Sequence, residues 1–245
     1  MANVLIQEQT MKDIGNAIRQ KSGTEKKLKP YEMPKAIGDI PSADIIDATY
    51  ANSISFYAVN TFPKGYKNGT LHIKLPNAQT SLYNFFVRVK QKIITELILD
   101  SNAKITNMAD FAVNSGSLKT LTLNFDTKNV SNWRNWLSMD GSSGSNRIET
   151  ITNPIDLTSG KWNSSDFCYG QFALKNIRFV PNTICFNFYL PQTSVLTDES
   201  VQSIIDGLAD LTGQTAQAIY LHSSVVKRLT NEQLTQISNK NWSLG

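Results

Sequence analysis

Short strand-like runs recur along the middle of the chain at a nearly constant spacing. In each run, polar and apolar positions alternate around one central apolar residue, a pattern typical of β-strands. The five centres follow one another at intervals of 24, 24, 30 and 26 residues. They are Ile73, Leu97, Leu121, Ile151 and Ile177. A period of about 20–29 residues is that of leucine-rich repeats, so the pattern predicts a β-rich α/β solenoid whose neighbouring turns share one core.

A second feature repeats in the same register. An aromatic residue precedes four of the strand centres: Phe86 by 11 residues, Phe111 by 10, Trp136 by 15 and Phe167 by 10. The longer interval contains an extra turn-forming run, GSSGS at 141–145, and without those five residues it becomes 10. We therefore expect each repeat to contribute one strand and one aromatic anchor to the core.

The N-terminal part of the chain departs from this period. Apolar residues at helical spacing after Thr10 predict a helix over about 11–21, and Pro34 begins a short second helix. Residues 1–45 have too few apolar groups to fold alone, so we expect a helical attachment or oligomerisation segment. The residues expected to pack on a partner are Ile14, Ala17, Ile18, Tyr31, Met33 and Ile37.

The C-terminal part has the pattern of a cap over the last repeat. A helix is predicted to begin after Thr197, and Thr230 with Gln233 forms a capping box before a second helix. The apolar side of the first helix is predicted to contain Val201, Ile204, Ile205, Leu208 and Leu211, and that of the second Leu234 and Ile237. The predicted organisation is an attachment segment at 1–45, a leucine-rich-repeat solenoid at 46–191 and an α/β cap at 192–245.

Three stretches of the sequence resemble known families. The runs SLKTLTLNF and LKNIRFVPN, with their upstream Phe, resemble BspA-like leucine-rich repeats. The run from LTDESVQSIIDGL to the end resembles the closing segment of such proteins from phages and prophages of Gram-positive bacteria. The N-terminal run IGNAIRQKSG, followed by KPYEM, resembles the opening motif of phage tail and baseplate minor structural proteins.

The resemblance implies a non-enzymatic virion structural protein. It would be a tail fibre, a baseplate appendage or a receptor-binding component, assembled in the host cytoplasm and located in the virion tail. Other tail or baseplate proteins, further copies of the chain, and a host cell-wall glycan or surface protein would be its partners. The alternative is a bacterial or phage leucine-rich-repeat interaction module that binds a protein or a cell-surface glycan.

Composition adds few chemical signals. The net charge of +4 is too mild to indicate nucleic-acid binding, and no apolar run is long enough for membrane insertion. The N-terminus has no basic region followed by an apolar one, so we expect no secretory signal. Two cysteines, Cys168 and Cys185, cannot form a disulfide framework, and we expect both to be small buried residues.

Candidate chemistry is sparse. His72 and His222 lie in strand-like runs without metal-ligand spacing, and acidic residues such as Asp100 and Asp110 lie in turns of different repeats. We therefore predict no enzyme activity, no metal site and no cofactor. Aromatic faces can stack on sugar rings, and the candidates for glycan contact are Trp133, Trp162 and Tyr169, although Trp133 aligns with the apolar Met108 and can equally belong to the core.

Overall fold

The computed structural model describes residues 45–55, 69–87, 94–113, 115, 117–138, 148–160 and 170–245, together with Asn16 and Lys29. The chain divides into two units, Met1–Asp44 and Ile45–Gly245. Within the first unit the structure describes only Asn16, which is helical, and Lys29. The two helices predicted for residues 1–45 otherwise lie outside the described residues.

Two parallel sheets organise the described part of the second unit. The first contains β1 (Ile45–Asp47), β2 (Thr70–Lys74), β3 (Glu96–Asp100), β4 (Thr120–Asn124) and β5 (Thr150–Ile151), in chain order. The second contains β6 (Phe188–Leu190), β7 (Gln217–Leu221) and β8 (Trp242–Leu244), also in chain order. The described helices of this unit are α1 (Asp198–Gly207), α2 (Ser223–Val226) and α3 (Asn231–Asn239). The described part of this unit is thus an α/β arrangement of parallel sheets with few helices.

The predicted strand centres Leu97, Leu121 and Ile151 pair directly across the first sheet, but the equivalent residue of the first strand is Leu71 rather than the predicted Ile73. Leu71 pairs with Leu97, Leu97 with Leu121, and Leu121 with Ile151, and each of these side chains is at most 1% exposed. Ile73 lies beside Leu99 on the same inner face. Because side chains alternate between the two faces of a strand, this register buries one apolar row and turns the intervening residues outward. The strands predicted around Ile73, Leu97 and Leu121 are confirmed as β2, β3 and β4.

The last two predicted strands of the repeat region are shorter than expected. The run at 149–153 forms only the two-residue β5, because Pro154 lacks the N–H that a longer strand would need. The run at 175–179 forms isolated bridges, Thr150 to Asn176 and Ile155 to Phe179.

Helix α1 replaces the next strand beside the run at 175–179. The backbone N–H of Thr197 donates to Lys175 O at 2.9 Å, as the first residue of a further strand would. The N–H groups of Ile177 and Phe179 then donate to the hydroxyl groups of Ser200 and Ser203 at 3.0 and 2.9 Å. Serine side chains of a helix therefore satisfy backbone groups that would otherwise form an open sheet edge.

The aromatic anchors lie in a second column of backbone hydrogen bonds. Phe86 N donates to Phe111 O at 2.7 Å, and Ala112 N donates to Trp136 O at 2.8 Å. This register makes Phe85, rather than the predicted Phe86, equivalent to Phe111, and the two rings stack with centroids 5.8 Å apart. All of these side chains are buried, so the anchors at 111 and 136 are confirmed and the first anchor is corrected by one residue, while the predicted anchor Phe167 lies outside the described residues.

Each anchor follows a residue with left-handed backbone geometry. Asn84, Asp110 and Asn135 each have φ of 52°, immediately before Phe85, Phe111 and Trp136 respectively. Asn and Asp tolerate this conformation better than other non-glycine residues. The polar residue before each aromatic anchor is therefore part of the repeat.

The cap helices begin where predicted but differ in their apolar faces. Thr197 caps α1, and Thr230 with Gln233 forms the predicted capping box of α3. Helix α1 ends at Gly207, whose carbonyl oxygen accepts a hydrogen bond from the backbone N–H of Ile184. The next residue, Leu208, forms an isolated parallel β-bridge with Ile184. Leu208 and Leu211 are buried as predicted, but after the helix. Leu234 is 39% exposed, so its prediction as a buried residue was wrong.

Lys240 closes the C-terminal end of α1 from the end of α3. Its Nζ donates to the carbonyl oxygens of Ile205 at 3.1 Å, Asp206 at 3.0 Å and Leu208 at 2.6 Å. Burial lowers the pKa of Lys240, although Asp206 and Asp210 oppose that effect. A cation at the negative end of a helix is stabilising, and α1 has no basic residue in its own last turn.

We expect the substitution Leu121→Ala to lower the free energy of unfolding by about 2–5 kcal/mol, because it leaves a cavity between two neighbouring strands. Urea unfolding followed by circular dichroism measures the effect. The control Leu234→Ala makes the same chemical change at an exposed helical site and should change stability by less than about 0.5 kcal/mol. Equal effects of the two substitutions would contradict the buried ladder.

We expect Lys240→Met to destabilise the protein by about 1–3 kcal/mol, because three carbonyl groups at the end of α1 lose their charged donor. Thermal unfolding of the full chain measures this change. The control is Lys227→Met, since Lys227 is an exposed lysine next to α2. If both variants unfold at the same temperature, Lys240 is not a helix cap.

Candidate functional site

The outward face of the first sheet brings polar residues of different repeats into straight rows. Residues that are paired across neighbouring strands share a row. One row runs through His72, Ile98 and Thr122, and the next through Lys74, Asp100 and Asn124. The second row lies where the strands end, and Asp47 of β1 extends it at one side. The carboxyl-terminal ends of four strands therefore form a polar rim.

Asp100 is the most constrained residue of this rim. Its Oδ2 lies 2.7 Å from His72 Nε2 on β2, and its Oδ1 accepts a hydrogen bond of 2.8 Å from the Asn124 amide on β4. Partial burial acts to raise the pKa of Asp100, but the hydrogen bonds from Asn124 and His72 outweigh it and the net pKa is lowered. The carboxylate is therefore held ionised and in one orientation by both neighbouring strands.

The rest of the rim alternates in charge. Lys74 Nζ lies 3.6 Å from Asp47 Oδ2. Hydrogen bonds from the side chain and backbone of Thr49 lower the pKa of Asp47, with a smaller contribution from Lys74. On the other side, the amide of Asn153 lies 3.5 Å from Asn124 Oδ1. Both signs of charge and neutral amides therefore lie along one edge.

A cavity of about 270 Å³ opens at this rim, and we call it the rim cavity. Seven of its eight lining residues are polar. They are Thr49, Lys74, Leu75, Asn77, Asp100, Ser101, Asn102 and Asn124. A cavity with this lining can exchange hydrogen bonds with a polar ligand.

The hydrogen bond between His72 and Asp100 orients the carboxylate. The hydrogen bond described for His72 goes to Asp100, and no hydroxyl or thiol of the described residues is bonded to its ring. A histidine acting as a general base for acyl transfer needs such a partner. His222 instead caps α2 by accepting from Ser224 N at 3.2 Å. In the described part of the chain, no group of three or more His, Cys, Asp or Glu residues could hold a metal ion.

Trp133 is corrected as a glycan-contact candidate. Its side chain is 0% exposed, its indole N–H donates to Val130 O at 3.0 Å, and its ring meets Trp136 edge to face with centroids 4.9 Å apart. No face of the indole is open to a sugar, so Trp133 belongs to the core in the position of Met108. Cys185, which was expected to be buried, is exposed, because burial alternates here and its neighbours Ile184 and Phe186 are the buried residues.

The other predicted site residues lie outside the described residues. Two of them are the glycan-contact candidates Trp162 and Tyr169, and Cys168 lies in the same stretch. The others are the partner-packing candidates Ile14, Ala17, Ile18, Tyr31, Met33 and Ile37. Their roles remain predictions from the sequence.

The cluster around Asp100 was missed by the sequence analysis, which found no partner for this carboxylate. His72 and Asp100 are 28 residues apart, and a search for neighbouring ligands along the chain cannot connect them. The observed register contains the necessary signal: with Leu71 paired to Leu97, His72 follows its buried residue by one position and Asp100 follows its own by three. Both side chains therefore point outward from adjacent strands.

Comparisons of the chain with protein-family models, with curated proteins and with solved structures found no match. No helix in the described residues is both long enough and apolar enough to cross a membrane. The proposals that follow are therefore based on the residues quoted above and on the geometry of the described part of the chain.

We expect acid to destabilise the native protein more than the Asp100→Asn variant. Because the folded-state pKa of Asp100 lies below its unfolded value of about 3.9, its stabilising contribution is present above that pH and is lost as the pH falls through the folded pKa. Urea midpoints measured from pH 6 to pH 3 test this. The difference in urea midpoint between the two proteins should become smaller toward pH 3. A difference that stays constant would contradict a lowered pKa of Asp100 in the folded protein.

Proposed function

We propose that this chain is a non-enzymatic structural protein of a phage or prophage tail, built on a BspA-like leucine-rich-repeat solenoid. The main support for a solenoid is the pairing of Leu71, Leu97, Leu121 and Ile151, one from each repeat, in a single buried row. A second ladder of backbone bonds at the aromatic anchors supports it, because each repeat is then tied to its neighbours at two separate places.

The capping of the repeat region supports the same architecture. Solenoids need terminal elements that cover the last repeat and keep its edge from pairing with other chains. Helix α1 supplies Ser200 and Ser203 to the backbone of 175–179, which is the function expected of such an element. Residues 192–245 are accordingly proposed to be the cap, with β6 as the link between repeat region and cap.

The tail assignment comes from the resemblance at the two ends of the sequence. In this proposal residues 1–45 attach the chain to other tail or baseplate proteins, or to further copies of itself, through the partner-packing candidates named above. Their division from residues 45–245 is compatible with a separate attachment segment. The protein would act in the virion tail after assembly in the host cytoplasm.

The repeat region would then be a spacer or a host-contact surface. Several copies on one particle make weak contacts effective, because each further contact forms at a high local concentration. The rim cavity is the specific observation that favours the alternative function, a leucine-rich-repeat interaction module that binds a protein or a cell-surface glycan. The two functions are compatible in one tail component.

A complementation experiment tests the tail assignment. The gene for the chain is deleted from a phage that encodes it, and the full-length protein or one of its variants is supplied separately. Purified particles are then examined by immunogold microscopy. We expect label at the tail with the native chain and with the control Asn16→Asp. The double variant Ile14→Asp and Ile18→Asp should reduce the label at least tenfold, because it places charges on the predicted packing side of the helix.

Two outcomes would contradict this proposal. If the native chain is absent from purified particles, it is not a virion component. If the double variant is incorporated as well as the native chain, the attachment does not use the predicted helix face. Circular dichroism of each variant shows whether residues 45–245 remain folded.

A further inference from the structure

We propose that the rim cavity is a binding site for a single saccharide ring, with the Asp100 carboxylate as its central hydrogen-bond acceptor. The cavity is formed where β1 to β4 end, and its lining comes from residues at or just after the ends of these four strands. Neither the sequence motifs nor the resemblance assigns a ligand to these residues. The inference is drawn from the donors, acceptors, charges and volume at this place.

The hydrogen-bonding groups match the hydroxyl groups of a sugar. Among the described residues, one oxygen of Asp100 is bonded to His72 and the other to Asn124, and a carboxylate oxygen can accept a second hydrogen bond. Two adjacent sugar hydroxyls can therefore donate to the two oxygens together. The amides of Asn77 and Asn102, also in the lining, can both donate to and accept from the remaining hydroxyls.

The charges favour a neutral ligand. Lys74 lines the cavity and would repel a metal ion, while Asp100 would repel a phosphate or carboxylate group at hydrogen-bond distance. A polyhydroxy ligand is compatible with both charged side chains, because a hydroxyl group can accept a hydrogen bond from the ammonium group of Lys74 and donate one to the carboxylate of Asp100. Leu75 is the one apolar residue among the eight that line the cavity, and the other seven can exchange hydrogen bonds with a ligand.

The volume limits the size of the ligand. At about 270 Å³ the rim cavity is slightly below the range of about 300–1,000 Å³ that is usual for small-molecule sites. One ring fits this space better than an extended oligosaccharide, whose other rings would lie on the surface.

The site is also organised before any ligand binds. Asp100 is fixed by one bond from β2 and one from β4, so little side-chain entropy remains to be lost on binding. Thr49 holds Asp47, which in turn lies beside Lys74, so the cationic side of the cavity is oriented as well. Ligand sites are commonly held by partners of this kind.

Saturation-transfer NMR of the full-length protein with glucose, galactose, mannose and N-acetylglucosamine, each as the free sugar, tests the proposal. We expect at least one of the four to bind, and we expect Asp100→Asn to weaken that binding at least tenfold, because the variant loses the charged acceptor. Asn102→Ala should weaken it about threefold, and since Asn102 is an exposed residue this variant should fold normally.

The matched control is Asp126→Asn. Asp126 follows β4, is paired with Lys128 at 2.9 Å and does not line the rim cavity, so the same chemical change there should leave binding unaltered. Binding of none of the four sugars, or binding that Asp100→Asn and Asn102→Ala leave unchanged, would overturn the proposal. The test is independent of the tail assignment, because the complementation experiment can succeed or fail whether or not a sugar binds.

Discussion

The burial of one apolar residue per strand against the same residue of the next repeat is the constraint on which the described fold depends. A single strand with one aromatic anchor cannot remove its apolar surface from water, but neighbouring copies can do so together. Leu97 and Leu121 each have such a neighbour on both sides. Because a shift of one residue would expose the whole row, the apolar pattern also fixes the register of every outward-facing side chain.

The functional surface follows from that register. Residues 24 to 28 positions apart in the chain lie next to one another on the outer face, and His72, Asp100 and Asn124 form one hydrogen-bonded group although each belongs to a different repeat. Their chemistry belongs to the sheet edge rather than to a local motif. Substitutions on the outer face can therefore change this group while the buried row, and with it the fold, stays the same.

The sequence predicts the elements whose signals are periodic or local. The strand centres, the capping of α1 by Thr197 and the capping box of Thr230 with Gln233 follow from spacing and from residue type. It does not predict where long-range pairing overrides the pattern. Helix α1 ends before Leu208, where the backbone N–H of Ile184 donates to the carbonyl oxygen of Gly207. Serine side chains of α1 accept the backbone hydrogen bonds that a further strand would accept. The spacing of apolar residues encodes neither of these contacts.

The replacement of a strand by the serines of α1 also has a consequence for how such a chain can change in length. Helix α1 accepts hydrogen bonds from the backbone of the run at 175–179 through Ser200 and Ser203, and in the proposed solenoid this contact makes no demand on how many repeats precede it. Duplication or deletion of one whole repeat of about 25 residues, upstream of β5, would leave this junction intact. If the proposed solenoid is correct, the number of repeats is therefore open to variation in whole units, independently of the way the array is terminated.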